Sequence, residues 1–460
     1  MQWSRLLVLN LVSLSSCNEI SFVSPNPVPV VQQDGVFASS LTPKLDLLFV
    51  IDNSGSMLTE QLRLRRDFKH MMEAFEKRAG IADMHIAVVS TDVGAGNVEC
   101  GESAKRPGGD RGEFKAGNQC GLLPGARFLS SQPGGAKNFE GTLSDVFSCM
   151  SDLGTKGCGY EHPLLSMRLA LDDKNTPANS GFLRKDADLG IVIITDEDDC
   201  SAPPRSMLFA DQSFVNQAPS LRCALKGHVC NSQKLNAQSQ DHTLADCEAS
   251  ADGGGELYPV DEFISFVKGL KTGTTSKILV SALAGWPQDA NTGKYAIEPD
   301  QAGFLDLVPV CRNKAQGSDD TAFPALRIKR FIDAFSKTGR IQSICQEDFR
   351  PALELIGDDW GKLVAPRCVP GQLIDVNDEA QGLQPNCVVS EISNTASGAA
   401  TIVTVLPACA KDAAKPCWKF ITEDQGKAVC DDGSGAIEIE RTRPPAEGAK
   451  LEVHCEARAN

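Results

Sequence analysis

The stretch Asp46–Met57 reads DLLFVIDNSGSM. Five apolar residues, Leu47 to Ile51, run without alternation, and then Asp52, Ser54 and Ser56 follow at every second position. A strand that is apolar at successive residues is buried on both faces, which points to a parallel sheet covered by helices. Gly55 permits the tight turn that would bring both hydroxyls to one point. Carboxylate and hydroxyl oxygens are hard donors, suited to Mg2+, Mn2+ or Ca2+ and not to zinc. A plain helix N-cap would need one such residue, not three.

Three further apolar runs share the character of 45–52: HIAVVSTD at 85–92, LGIVIITD at 189–196 and KILVSALAG at 277–285. Between 45–52 and 85–92, Leu64, Phe68, Met71, Met72 and Phe75 recur at helical spacing, and Gly80 stops the run. That is a βαβ unit. Further helices are expected at 140–153, 163–172, 260–270 and 325–337. Three of the four strands end in aspartate, at Asp52, Asp92 and Asp196. Open α/β sheets bind ligands beyond the carboxyl ends of their strands. The expected fold is therefore α/β, a doubly wound, mostly parallel sheet over residues 44–357. Cysteine-bearing insertions interrupt it at about 97–139 and 200–258. Beyond 358 the helical spacing gives way to short alternating strands such as AIEIE, where Ile437 and Ile439 share a face. Residues 358–460 read as a small antiparallel β domain rich in disulfides.

The chain has 460 residues, enough for two or three domains. Its formal net charge of -15 excludes nucleic acid as a partner, because phosphate binding needs a basic surface. Arg5 precedes an apolar run, Leu6–Leu14, that is too short to span a bilayer and has the form of a signal peptide. It ends in LSSC, Leu14 to Cys17, which resembles the bacterial lipobox. That resemblance makes residues 1–17 a lipoprotein signal and Cys17 the lipid carrier, with 18–43 as a proline-punctuated tether. Asn18 in place of the retention aspartate favours the outer membrane; either face of it stays open. Setting Cys17 aside leaves sixteen of the 17 cysteines, an even number, and no CxxC pair occurs. Disulfides are expected rather than zinc ribbons. Pairing cannot be derived from sequence; sequence neighbours are Cys100 with Cys120, Cys149 with Cys158, Cys311 with Cys345, and Cys430 with Cys455.

The D-x-S-x-S pattern in FVIDNSGSM, together with the TD that ends IVIITDEDD, resembles the metal-ion-dependent adhesion site (MIDAS) of von Willebrand factor A domains. The resemblance covers roughly residues 44–335. It implies that Ser54 and Ser56 bind the ion directly, that Asp52 and Asp196 act largely through water, and that a partner's ligand completes the octahedron. It also implies a threonine before the third helix. Here that loop reads GTKGCGYEHPLLSMRLAL, with no threonine at the usual distance. Glu161 is the nearest oxygen donor, and Thr155 is the alternative. Glu197, Asp198 and Asp199 add acids that read as a solvated loop or a second cation site. The six histidines (His70, His85, His162, His228, His242 and His454) are scattered, and no G-x-S-x-G, H-E-x-x-H or P-loop occurs. The expected function is thus a non-enzymatic, adhesion-type envelope lipoprotein. It would hold a divalent cation, Mg2+ first with Mn2+ or Ca2+ as alternatives, and engage a protein partner at that edge. The alternative is a structural envelope protein in which the cation only braces loops, or no metal is used.

Overall fold

The computed structural model describes residues 30–31, 43–79, 82–96, 100, 108–115, 120–132, 136–210, 217–236, 241–273, 276–299, 303–313, 320–335, 339–364, 367–369, 373–374, 384–394, 401–410, 414–424, 427–428, 435–442 and 450–458. The expected signal peptide, Cys17 and most of the tether lie outside the described residues. No helix among the described residues is long and apolar enough to cross a membrane.

The central sheet has six strands: β1 (Lys44–Ile51), β2 (Asp83–Ser90), β3 (Leu129–Ser131), β4 (Asp188–Ile194), β5 (Ile278–Ala284) and β6 (Arg340–Ser343). Their order is β3-β2-β1-β4-β5-β6. Every pair is parallel except the edge pair of β2 with β3. Among the described residues, seven α-helices of eight residues or more accompany it: α1 (Leu58–Ala79), α2 (Leu143–Met150), α3 (Pro163–Ala170), α4 (Pro219–Gly227), α5 (Val260–Leu270), α6 (Leu326–Asp333) and α7 (Arg350–Val364). The unbroken apolar run of β1 explains the layers. Leu45, Leu47, Phe49 and Ile51 pack with α1, α2 and α7. Leu48 and Val50 pack with α3, α5 and α6. The chain is thus a doubly wound α/β sheet, mostly parallel, as its four apolar runs require.

Phe68 of α1 anchors the first face. It is fully buried, stacks on Phe147 of α2 at 3.6 Å between centroids, and meets Phe49 edge-on at 5.6 Å. Phe68→Ala is expected to cost about 3–5 kcal/mol, read as a lower denaturant midpoint at unchanged slope.

Three details depart from the sequence expectation. The stretch 97–139 is not all insertion, since it supplies the antiparallel edge strand β3. Helix α7 was not expected, and the boundary placed at 357/358 falls inside it. Its Gly357 and Gly361 face α1, and a Cβ at Gly357 would sit 2.1 Å from the Met71 carbonyl. The glycines that disguise the helix in sequence are what let the two helices touch. Finally, of the four neighbouring cysteine pairs named from the sequence, only Cys311–Cys345 forms. Cys100 joins Cys158, and Cys120 joins Cys149. The intervening chain supplies β3 and α2 and returns on itself, so neighbours in sequence are not neighbours in space. Cys455 pairs with Cys387 across two antiparallel strands, not with Cys430.

Beyond α7 the antiparallel reading holds. The strands are β7 (Cys387–Asn394), β8 (Thr401–Leu406), β9 (Cys417–Ile421), β10 (Ala436–Glu440) and β11 (Lys450–Cys455). They form two small sheets, β8-β7-β11 and β9-β10 with Arg367–Cys368. Val389, Leu406, Ile437, Ile439 and Val453 fill the core between them. Cys387–Cys455 and Cys409–Cys417 staple the module. The expected tether touches it too, because Val30–Val31 pairs with Ala457–Arg458.

Candidate metal centre

Register builds the site. Ile51 pairs with Ser90 on one side and with Ile194 on the other. The next residues, Asp52, Thr91 and Thr195, therefore stand side by side at the carboxyl edge. This is the switch point of the sheet, between β1 and β4, where the strand order reverses. Backbone bonds fix the level: the Asp52 N–H donates to the Ile194 carbonyl at 2.9 Å, and the Thr91 N–H donates to the Ile51 carbonyl at 3.2 Å.

Asp52 is fully buried. Its Oδ1 accepts from the Ser54 N–H at 2.7 Å, and its Oδ2 accepts from the Thr195 hydroxyl at 2.6 Å. The turn this creates brings the Ser54 and Ser56 hydroxyls within 3.2 Å of each other. Ser54 is buried, while Ser56 is exposed at the lip. Gln61 of α1 donates to the Asp52 carbonyl at 2.9 Å and to the Gly154 carbonyl at 3.0 Å, and accepts from the Leu153 N–H at 3.1 Å. The Gly157 N–H donates to the Asn53 carbonyl at 2.8 Å. The serine turn and the loop leading to Glu161 are thereby tied together.

Glu161 is 1 % exposed and takes the Thr91 hydroxyl on Oε2 at 2.7 Å. Its carboxyl stands near enough to Asp52 for the two acids to repel, and that repulsion adds to burial in raising the Glu161 pKa. Thr155 stays partly exposed in the preceding loop; it is Glu161 that the fold brings to Asp52. Asp196, from the end of β4, is held by the Phe323 N–H on its backbone carbonyl at 2.8 Å, and its side chain is reached by Ser56. The fold thus brings Asp52, Ser54, Ser56, Glu161 and Asp196 together.

Burial raises the pKa of Asp52, Glu161, Asp196 and Glu197, and their mutual repulsion adds to the rise at Glu161, Asp196 and Glu197. Hydrogen bonds from Thr195, Thr91 and Ser56 offset only part of this. Glu60, one turn into α1, is pushed to about 7 by burial, with Asp320 and Asp52 adding and Arg63 opposing. Glu161 Oε1 and Asp196 Oδ1 are buried with no hydrogen-bond partner. Enclosed acids with idle oxygens, flanked by two hydroxyls, form an all-oxygen donor set that fits a hard dication.

The spacing says how such an ion would be held. Among the described residues, the one trio of His, Cys, Asp or Glu side chains with ligand atoms all within 4.8 Å is Cys409, Cys417 and Glu440. There both sulfurs are already joined in a disulfide. At the sheet edge no three carboxylates close on one point. The arrangement suits hydroxyl ligands with at most two carboxylates and water in the remaining positions, which is the habit of Mg2+.

The acidic run after β4 divides in a way its sequence does not reveal. Asp198 accepts the Arg327 and Ile328 N–H groups at the start of α6, at 2.8 and 3.0 Å. Asp199, fully buried, accepts the Leu164 N–H at the start of α3 at 3.0 Å and pairs with Arg327 at 2.8 Å. Both accept backbone N–H groups at helix starts, so Asp198 and Asp199 do not form the solvated loop expected there. Asp198 also meets His228 Nε2 at 2.6 Å, and His228 Nδ1 meets the Tyr295 hydroxyl at 2.7 Å, which ties the second insertion to the sheet. Asp92, the third strand-end aspartate, accepts the Gly94 N–H at 2.9 Å and packs against Gly109, so it braces the first insertion instead. Sequence reading overlooked Thr91, Thr195 and Gln61. A signal for the first two was present: β2 and β4 both end in Thr-Asp.

No family model matches the chain, and no curated protein does. Solved structures with partial likeness include the pilus adhesin SpaC from Lactobacillus rhamnosus GG in its open conformation, at 10% identity and TM-score 0.31, covering 91% of this chain and 39% of that one. A von Willebrand factor type A protein from Catenulispora acidiphila aligns at 10% identity and TM-score 0.29, over 91% and 59% of the two chains. The human COPII-coat protein Sec24c aligns at 9% identity and 0.30, over 92% and 41%. This chain spans less than two thirds of each. Likenesses of this size carry no argument, and the α/β assignment rests on the strand order and register given above.

Two outcomes follow from the geometry. Thr195→Val removes the hydroxyl that orients Asp52, and it is expected to weaken Mg2+ binding about 10- to 100-fold, measured by calorimetry. The raised pKa values set a pH trend. Folded carboxyls that keep protons the unfolded chain has released make stability fall as pH rises above about 4 toward neutrality. Metal-free protein is therefore expected to melt higher at mildly acidic than at neutral pH. Excess Mg2+ should flatten that slope, because the cation displaces the protons.

Proposed function

We propose that this chain is a non-enzymatic binding protein of the cell envelope that holds one hard divalent cation, Mg2+ first, at the carboxyl edge of its sheet and meets a protein partner there. Ser54 and Ser56 would touch the ion, with Asp52, Asp196 and Glu161 around it largely through water. The observation that carries the reading is the joint burial of Asp52, Glu161 and Asp196 beside two hydroxyls, with carboxylate oxygens left idle. The bound ion would supply positive charge at a lip where Ser56 is open to solvent.

The reading in which the ion merely braces loops is less well supported. Gln61 already ties the serine turn to the 153–157 loop. Cys158 and Cys200 anchor the Glu161 and Asp196 segments through disulfides to Cys100 and Cys223. Loops fastened in this way do not need an ion to hold them. The envelope location rests on the Cys17 lipobox and the disulfide content, with the membrane reached through the lipid alone. Partner capture from envelope extract, with excess Mg2+ or with chelator, tests the use of the site. Capture lost on chelation and in the Ser54→Ala/Ser56→Ala protein is expected; capture indifferent to both would favour bracing.

A further inference from the structure

Glu60 is buried where a helix usually keeps an acid at the surface. A carboxylate in a first helical turn gains from the positive end of the helix dipole while staying in water. Glu60 sits in the first turn of α1 and is 2 % exposed. Its Oε1 accepts from Arg63 Nη1 at 3.2 Å, and Arg63 Nη2 donates to Asp320 at 2.7 Å. Its Oε2 is buried with no hydrogen-bond partner. A buried carboxylate oxygen left idle is costly, and its usual explanation is a water or an ion. The function proposed above gives Glu161 and Asp196 such an explanation, and it gives Glu60 none.

The neighbours of Glu60 set it beside the proposed ion. Gln61, the next residue, is bound to the Asp52 carbonyl and to the loop before Glu161. Glu60 itself meets Arg63 and, through it, Asp320. Three residues further on, the Phe323 N–H holds the Asp196 carbonyl at 2.8 Å. Glu60 is close enough to Asp196 and to Asp52 for electrostatic interaction with both. Ligands on one Mg2+ lie at most about 4.2 Å apart, twice its bond length. Among the described residues, no three acids of this edge have oxygens all within 4.8 Å. Glu60 therefore cannot share direct coordination with any two of Asp52, Glu161 and Asp196.

We propose that Glu60 Oε2 accepts a hydrogen bond from a water on the bound cation, a positioning role that favours an ion keeping its waters over one that sheds them. The proposal rests on the cation site proposed above. Arg63 holds the first carboxylate oxygen, so the second is presented in a fixed orientation. Mg2+ takes few direct ligands and retains several waters, whereas Ca2+ takes more protein oxygens directly. Losing the acceptor should cost Mg2+ more than Ca2+.

The test is calorimetric titration of the full-length parent, Glu60→Gln and Glu60→Asp with MgCl2 and with CaCl2, at one pH and ionic strength. Glutamine keeps the volume and removes the charge. Aspartate keeps the charge and draws the carboxylate back by one methylene. Both variants are expected to bind Mg2+ about tenfold or more weakly, with a severalfold smaller loss for Ca2+. Parent-like Mg2+ binding in Glu60→Asp overturns the proposal, because it reduces Glu60 to its charge. Equal losses for the two ions overturn it as well, because they report a general loosening of the edge. Thermal unfolding of the metal-free proteins is read alongside, and the melting temperatures are expected to stay close to the parent's. A large fall in both variants would assign the weaker binding to the fold and overturn the proposal. A parent that gives no Mg2+ heat removes the cation site and this proposal with it. A parent that binds, with both variants binding equally well, removes this proposal alone.

Discussion

Replacing both hydroxyls, Ser54→Ala with Ser56→Ala, is expected to weaken Mg2+ binding by at least about 100-fold, or about 2.7 kcal/mol. The two oxygens lie 3.2 Å apart and mark where the ion would sit. Without them, Asp52, Glu161 and Asp196 remain, but no three carboxylates of the edge close on one point. A small ion that demands near-ideal octahedral geometry cannot recover its ligands from acids held apart. The fold should not suffer. The turn is held by the Ser54 backbone N–H on Asp52, which alanine keeps, and Ser56 is exposed. Calorimetric titration of both proteins decides the matter. Equal binding would remove the cation from the account of this edge, and the melting temperature of the metal-free variant should match the parent.

The second large effect is on stability. Arg327→Met should cost about 3–5 kcal/mol and lower the melting temperature by on the order of 10 °C. Arg327 and Asp199 are both fully buried and paired at 2.8 Å. Burial raises the Asp199 pKa, and Arg327 is the main opposing influence. Removing the guanidinium strands an acid that also caps α3 through the Leu164 N–H. The Tyr258 carbonyl loses a donor at 2.8 Å as well. Adding Asp199→Asn to the variant removes the stranded charge and should restore part of the loss. Thermal and denaturant unfolding of the single and double variants checks both statements. A loss below about 1 kcal/mol in the single variant would mean that water reaches Asp199.

What the sequence disclosed, and what it withheld, follows from how far each feature reaches along the chain. β1, β2, β4 and β5 were legible because strands buried on both faces are written as unbroken apolar runs. The serine turn was legible because three donors fall within five residues. Glu161 could be placed beside them only through a resemblance, since 105 positions separate it from Ser56. The roles of Asp198 and Asp199 were not legible, because a cap is defined by the N–H groups it receives. Those groups come from α3 and α6, helices remote in sequence. β3 is three residues long and α7 contains two glycines, so neither gives a periodic signal. The partners of Cys100, Cys120 and Cys455 are chosen by the folded path, which sequence distance does not measure.

Cys158 and Cys200 carry a consequence for biogenesis. They lie three residues before Glu161 and four after Asp196, and each is bonded to a distant cysteine. The disulfides thus fasten the segments that carry the two acids, while strand register and hydrogen bonds set their level at the sheet edge. A copy with reduced thiols would lose that fastening, so the acid-bearing edge is expected to be less firmly held before oxidation than after it.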